Sequence, residues 1–146
     1  MATIEFHTEI ARPPADVFAV LSDVEKNASW SATSISGHLT SSGPVGLGST
    51  AREVSRFMGR RMEVDSTIVA FDPDHSLTFE TSSGPFPFRG SFTVAPLGSG
   101  AQLTSRFEAE PTGAMRFADG LFGWLIRRKF DTDLASLKRL MESGEL

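Results

Sequence analysis

The sequence predicts an α+β fold in which a seven-stranded, curved antiparallel sheet wraps around a long C-terminal helix, with two short helices between strands 1 and 2. Three features lead to it. Residues 2–10 alternate apolar and polar side chains, residues 33–110 fall into strand-length runs separated by turn signals, and residues 114–142 read as one helix.

In the first strand Ile4, Phe6, Thr8 and Ile10 share one face and Glu5, His7 and Glu9 the other, the pattern of a strand with one wet side. Arg12-Pro13-Pro14-Ala15-Asp16 then starts a helix over 14–22. Proline tolerates the first helical turn, and an early acid suits the positive end of the helix dipole. Asp23 can cap a second short helix over Val24–Trp30.

Turn signals at Ser42-Gly43-Pro44, Gly59, Asp72-Pro73-Asp74, Ser83-Gly84-Pro85 and Gly98-Ser99-Gly100 divide the middle of the chain. Leu77/Phe79/Thr81, Phe86/Phe88/Gly90/Phe92/Val94 and Leu103/Ser105/Phe107/Ala109 each recur with period two. Short turns between such runs imply an antiparallel meander. In the final helix Phe130, Leu134, Leu137 and Met141 form a narrow apolar stripe, and Arg127, Arg128, Lys129, Lys138 and Arg139 take the remaining surface. Its first half, from Met115 to Ile126, has little polar face and must be covered on most sides.

The 146 residues match one domain, 1–146, long enough to bury a core without staples. With no cysteine, disulfide scaffolds, thiolate metal sites and cysteine nucleophiles are excluded. The start of the chain lacks a signal-peptide pattern and no run is long enough to span a bilayer, so the expected location is cytoplasmic. A net charge of −4 argues against nucleic acid as a partner. Twelve Phe and no Tyr supply apolar bulk without hydroxyls that need partners, which suits a core or an oily pocket.

A sheet of about seven strands at ~4.8 Å spacing is some three times wider than a helix of ~10 Å diameter. Side chains must fill the leftover space or leave a hole, and an internal cavity is expected. Phe79, Phe88, Phe92 and Phe107 are placed on its wall with Phe86, facing Phe117, Leu121, Phe122 and Leu125 of the helix. Trp30 can roof it, its indole N–H free for a ligand, or anchor the core, and both roles are compatible.

The motifs also carry a resemblance. Ala11-Arg12-Pro13-Pro14-Ala15-Asp16-Val17-Phe18-Ala19-Val20-Leu21-Ser22-Asp23 followed by Trp30, Val45-Gly46-Leu47-Gly48-Ser49, Phe71-Asp72-Pro73 with Leu77-Thr78-Phe79, and Phe130 to Lys138 resemble the SRPBCC superfamily (START/polyketide cyclase/birch-pollen-allergen-like) over essentially the whole chain. The nearest likeness is to its polyketide cyclase/dehydrase-like branch. This resemblance implies the helix-grip fold and binding of hydrophobic ligands, with enzymes scattered among carriers and chaperone regulators. Fold alone does not choose between them.

Few residues are candidates for chemistry. His7, His38 and His75 have no partners at metal-ligand spacing, so no metal site and no cofactor are predicted. No Gly-x-Ser-x-Gly elbow is present. Glu53 is the candidate catalytic acid if it faces inward with Ala51 and Phe57; outward, it would pair with an arginine such as Arg61. Related cyclase-like chains often carry an acid here. Gly120 and Gly123 soften the final helix where a pocket mouth could meet the Phe86–Phe88 rim, and plain close packing would explain them equally. Arg52, Arg56, Arg60 and Arg61, and Arg127-Arg128-Lys129, read as solvated faces because no exposed aromatics accompany them.

The expected function is binding of a small hydrophobic molecule, polyketide-, lipid- or isoprenoid-like, by a monomer or homodimer without stable membrane insertion. Two alternatives stand beside it: a polyketide cyclase or dehydratase using the same cavity, and a chaperone-activator-like interaction module. A buried Glu53 with a polar neighbour favours the enzyme, and an exposed Glu53 above an all-apolar cavity favours the carrier.

Overall fold

The computed structural model describes residues 2–57, 59–83, 87–109 and 119–146, the side chains of 2, 57 and 119–123 excepted. Its elements are β1 (Ala2–Ile10), α1 (Pro14–Leu21), a 3-10 turn (Val24–Lys26), α2 (Asn27–Trp30), β2 (Ser34–Leu39), β3 (Thr50–Phe57), β4 (Arg60–Asp72), β5 (Ser76–Ser83), β6 (Phe88–Leu97), β7 (Gly100–Ala109) and α3 (Asp119–Glu142). The second short helix is thus a 3-10 turn followed by one α-helical turn. The Asp23 carboxylate caps it by accepting from the Glu25 N–H at 3.1 Å.

All seven strands form one antiparallel sheet in the order β1-β7-β6-β5-β4-β3-β2, curled around α3. Sequential hairpins build β2 to β7, and β1 joins β7 at the far edge. The period-two pattern becomes rows of inward side chains across the ladder, one of them Ile4, Phe107, Gly90, Phe79 and Ile68. Asp74 closes the β4–β5 hairpin at φ 65°, a left-handed conformation that aspartate tolerates better than bulkier residues.

Helix α3 does not lie over the middle of the sheet. It seats on β1 and β7, where the Phe130 ring meets Phe6 at 5.9 Å and Phe107 at 5.1 Å between centroids. Its C-terminal half closes a solid core: Leu137 and Met141 are fully buried with Ile10, Val17, Val94 and Leu103. Each such side chain is worth roughly 1.5–3 kcal/mol of burial.

The end of α3 is tied to the β1–α1 connection. Arg12 Nη1 donates to the carbonyls of Met141 and Leu146, both at 2.9 Å, while its Nη2 reaches Asp16 at 3.1 Å. The Ala11 N–H donates to Glu142 Oε2 at 2.8 Å, and Lys138 donates to the Glu9 carbonyl. Last-turn carbonyls have no intrahelical partner, so an arginine there both satisfies them and meets the negative end of the dipole. With the helix held over β1 and β7, the described residues of α3 leave the concave face of β3 to β5 uncovered.

Candidate functional site

A cavity of about 230 Å³ lies in that uncovered space, bounded by the sheet, α2 and the middle of α3. One side is aromatic. Phe79 of β5, Phe88 and Phe92 of β6, Phe107 of β7 and Phe130 of α3 line it. Their rings meet edge-on or tilted, Phe79 with Phe88 at 6.1 Å and Phe88 with Phe107 at 5.0 Å.

Gly90 makes this arrangement possible. It sits between Phe79 and Phe107 in the ladder, and a Cβ there would fall 2.4 Å from Phe79 Cζ. The Phe79 ring therefore lies over β6 in the space a side chain would take. That placement keeps the ring out of the void.

The other side is small and polar. Ala51, Glu53 and Ser55 of β3 face Val64 and Ser66 of β4, with Asn27 and Ser31 above them and Lys129 and Asp133 closing from α3. Glu53 points inward, not toward Arg61, which is on the outer face 3.9 Å from Glu63. Asn27 Nδ2 donates to Glu53 Oε2 at 2.7 Å. Burial raises the Glu53 pKa above the ordinary carboxylate value. The Asn27 hydrogen bond and the Lys129 charge pull it back, and Asp133 adds to the rise.

Asp133 is 1% exposed and accepts from Ser31 Oγ at 2.9 Å, the Ala32 N–H at 3.0 Å and Lys129 Nζ at 2.8 Å. A buried carboxylate with three donors is satisfied, and it staples α3 to the α2–β2 connection.

Of the residues the sequence placed at the site, Glu53, Trp30, Phe79, Phe88, Phe92 and Phe107 come together around the cavity. Trp30 contributes its ring, but its Nε1 is sealed and makes no hydrogen bond, so that donor does not face the void. Leu125 is a correction: it is half-buried but does not line the cavity, and Ile126 does. The inward face of α3 runs through Ile126, Lys129, Phe130 and Asp133, and Leu125 is rotated about 100° from Ile126. Phe86 and Phe117, and the side chains of Leu121 and Phe122, lie outside the described residues, as does the mouth expected between Phe86 and Gly120–Gly123.

Sequence reasoning missed Asn27, Lys129 and Asp133. It puts Lys129 on the solvated face with its neighbours. Arg127 and Arg128 are exposed, stacked over Phe6 and Trp124, whereas Lys129 turns inward. The available signal was the Lys129–Asp133 i, i+4 spacing in the same helical arc as Phe130 and Leu137.

The histidines lie away from the cavity lining, and no group of three or more potential metal ligands occurs among the described residues. Among those residues no helix is long and apolar enough to cross a membrane.

The profile of a family described as polyketide cyclase/dehydrase and lipid transport matches residues 1–142. No curated protein matches by sequence. Among solved structures, the protein TTHA0849 from Thermus thermophilus superposes with a TM-score of 0.84 at 17% identity, covering 99% of this chain and 100% of that one. The ZhuI aromatase/cyclase from Streptomyces sp. R1128 gives 0.74 at 18% identity over 93% and 90% of the two chains. A START superfamily protein from Mycobacterium smegmatis gives 0.72 at 15% over 97% and 95%. At such identities the likeness concerns fold alone.

Proposed function

The chain belongs to the polyketide cyclase/dehydrase and lipid transport family, within the SRPBCC superfamily, and from that membership we propose that it binds a small hydrophobic molecule between the sheet and the C-terminal helix. The observation that carries this reading is the void of about 230 Å³ with, among the described residues, five phenylalanines on its wall. An engineered apolar hole of ~150 Å³ holds benzene, so this space suits a guest of roughly two fused rings or a short chain. An apolar wall with a few convergent polar groups is the usual composition of such a site. The interaction-module reading has less support. Among the described residues the exposed large apolar side chains, Ile35, Leu47, Val69, Leu97 and Trp124, fall on five different segments.

Thermal-shift screening against lipids and bicyclic aromatics tests the reading. A guest at a hundred times its Kd stabilises by about 2.7 kcal/mol, which is on the order of 5–10 °C for a chain this size. Absence of any shift across the series removes the proposal.

A second reading, an enzyme acting on a polyketide-like chain, has its own observation: Glu53 faces the cavity, bonds Asn27 and is held toward its neutral form. In a dehydration, neutral Glu53 gives its proton to a β-hydroxyl as the C–O bond breaks and water leaves. The carboxylate so formed takes a proton from the neighbouring carbon as the C=C bond forms, which returns Glu53 to its acid form. Glu53→Gln should lower turnover by about 10²–10⁴-fold with guest affinity kept. Equal turnover by the variant leaves only the carrier.

A further inference from the structure

We propose that the cavity selects guests whose polar end is uncharged, such as a ketone, ester, phenol or alcohol, and rejects carboxylates, with Glu53 as the discriminating group. This rests on the reading that the cavity binds a hydrophobic guest, and names the chemical class of its polar end.

The argument is one of committed charges. Among the described residues the ionisable ones lining the cavity are Glu53, Arg106, Lys129 and Asp133. Arg106 is turned to the outer face of β7, where its Nε pairs with Glu108 at 2.8 Å. Lys129 is bonded to Asp133 at 2.8 Å, its ammonium 4.6 Å from the centroid of the Phe130 ring. Both described cations near the void therefore already have carboxylate partners. A guest carboxylate that drew Lys129 away would leave Asp133, 1% exposed, without its counter-ion.

Glu53 is the group left over. Among the described residues it has no ion pair, and its one hydrogen bond is the Asn27 amide on Oε2. Oε1 makes no bond to the described residues and is not among the sealed polar atoms, unlike Asn27 Oδ1 and Trp30 Nε1. It is the acid that remains open to a guest.

The two protonation states of Glu53 favour an uncharged polar end in different ways. As the neutral acid it donates to a ketone, ester or hydroxyl oxygen; as the anion it accepts from an alcohol or phenol and repels a carboxylate. Burial, which raises its pKa, extends the range of the neutral form. Among the described residues a free fatty acid finds no uncommitted cation here.

The test uses 2-acetonaphthone and 2-naphthoate, which differ by a methyl group in place of a carboxylate oxygen. Calorimetric titration at pH 7 is expected to show the ketone bound at least about tenfold more tightly by the wild-type chain. Desolvation alone also disfavours the carboxylate in any apolar hole, so the deciding arm is Glu53→Gln, which keeps shape and an acceptor for Asn27. There the preference should fall at least about fivefold. Should that variant fold poorly, Glu53→Ala serves in its place, and the same fall in preference is expected. Naphthoate bound as tightly as the ketone, or an unchanged preference in the Glu53 variant, overturns the proposal and leaves the cavity reading intact. Failure of both compounds to bind overturns the two together.

Discussion

Asn27 Nδ2 and Glu53 Oε2 lie 2.7 Å apart, joining the first turn of α2 to the middle of β3 across the roof of the cavity. The bond stabilises the ionised carboxylate, yet burial outweighs it and the Glu53 pKa is raised. Between the ordinary carboxylate pKa and the raised one, the folded chain holds more protons than the unfolded chain. Stability therefore falls as pH rises through that window. Glu53→Gln removes this dependence and preserves an oxygen for Asn27. Its melting temperature should exceed that of the wild type above the window and converge with it at lower pH. Parallel melting curves for the two proteins from pH 4 to pH 8 would contradict the assignment.

Asp133 should matter more for stability than any other polar residue of the cavity wall. Asp133→Ala leaves Ser31 Oγ, the Ala32 N–H and Lys129 Nζ without their acceptor at once. The expected loss is about 3 kcal/mol, read as a lower urea midpoint. Asp133→Asn keeps one acceptor oxygen and should lose less.

Gly90→Ala places a methyl group where the Phe79 ring now lies, 2.4 Å from Cζ. The ring must swing toward the void, at a cost of about 1–3 kcal/mol and with a smaller cavity. The double variant Gly90→Ala/Phe79→Leu should recover part of both stability and guest affinity. A crystal structure of Gly90→Ala with the ring unmoved would refute this account of the wall.

Glu142 contributes to stability on the acid side. Its pKa is lowered by the Ala11 N–H and then by Lys138. A lowered carboxylate pKa gives stability that is present above the unfolded value and lost as pH falls through the folded one. Glu142→Gln should flatten the acid slope. Arg12→Ala, which frees the Met141 and Leu146 carbonyls, should raise amide exchange across 140–146 with little change at β4 and β5.

The aromatic wall was largely legible in the sequence because strand periodicity is strict. Once Phe79, Phe92 and Phe107 alternate with polar residues in a meander, a buried face has to collect them. Turn chemistry at Gly59, Asp72-Pro73-Asp74 and Gly98 set the hairpins for the same local reason. The polar wall was hidden. Lys129 sits in a run of three basic residues, and adjacent helical positions point about 100° apart, so a small error in helix phase moves a residue from solvent to cavity. The same error put Leu125 where Ile126 stands.

The order of elements and the inward set on each strand follow from short-range periodicity and turn residues, so the chain carries them legibly along its length. The seat of α3 is different, because it is settled by packing between distant segments. Contacts of Phe6, Phe107 and Phe130 place the helix over β1 and β7, and that off-centre position opens the space above β3 to β5. Glu53, Asn27, Lys129 and Asp133 meet there from three elements distant in the chain. No local pattern encodes a meeting of that kind, because it depends on how a helix of ~10 Å settles on a sheet about three times as wide.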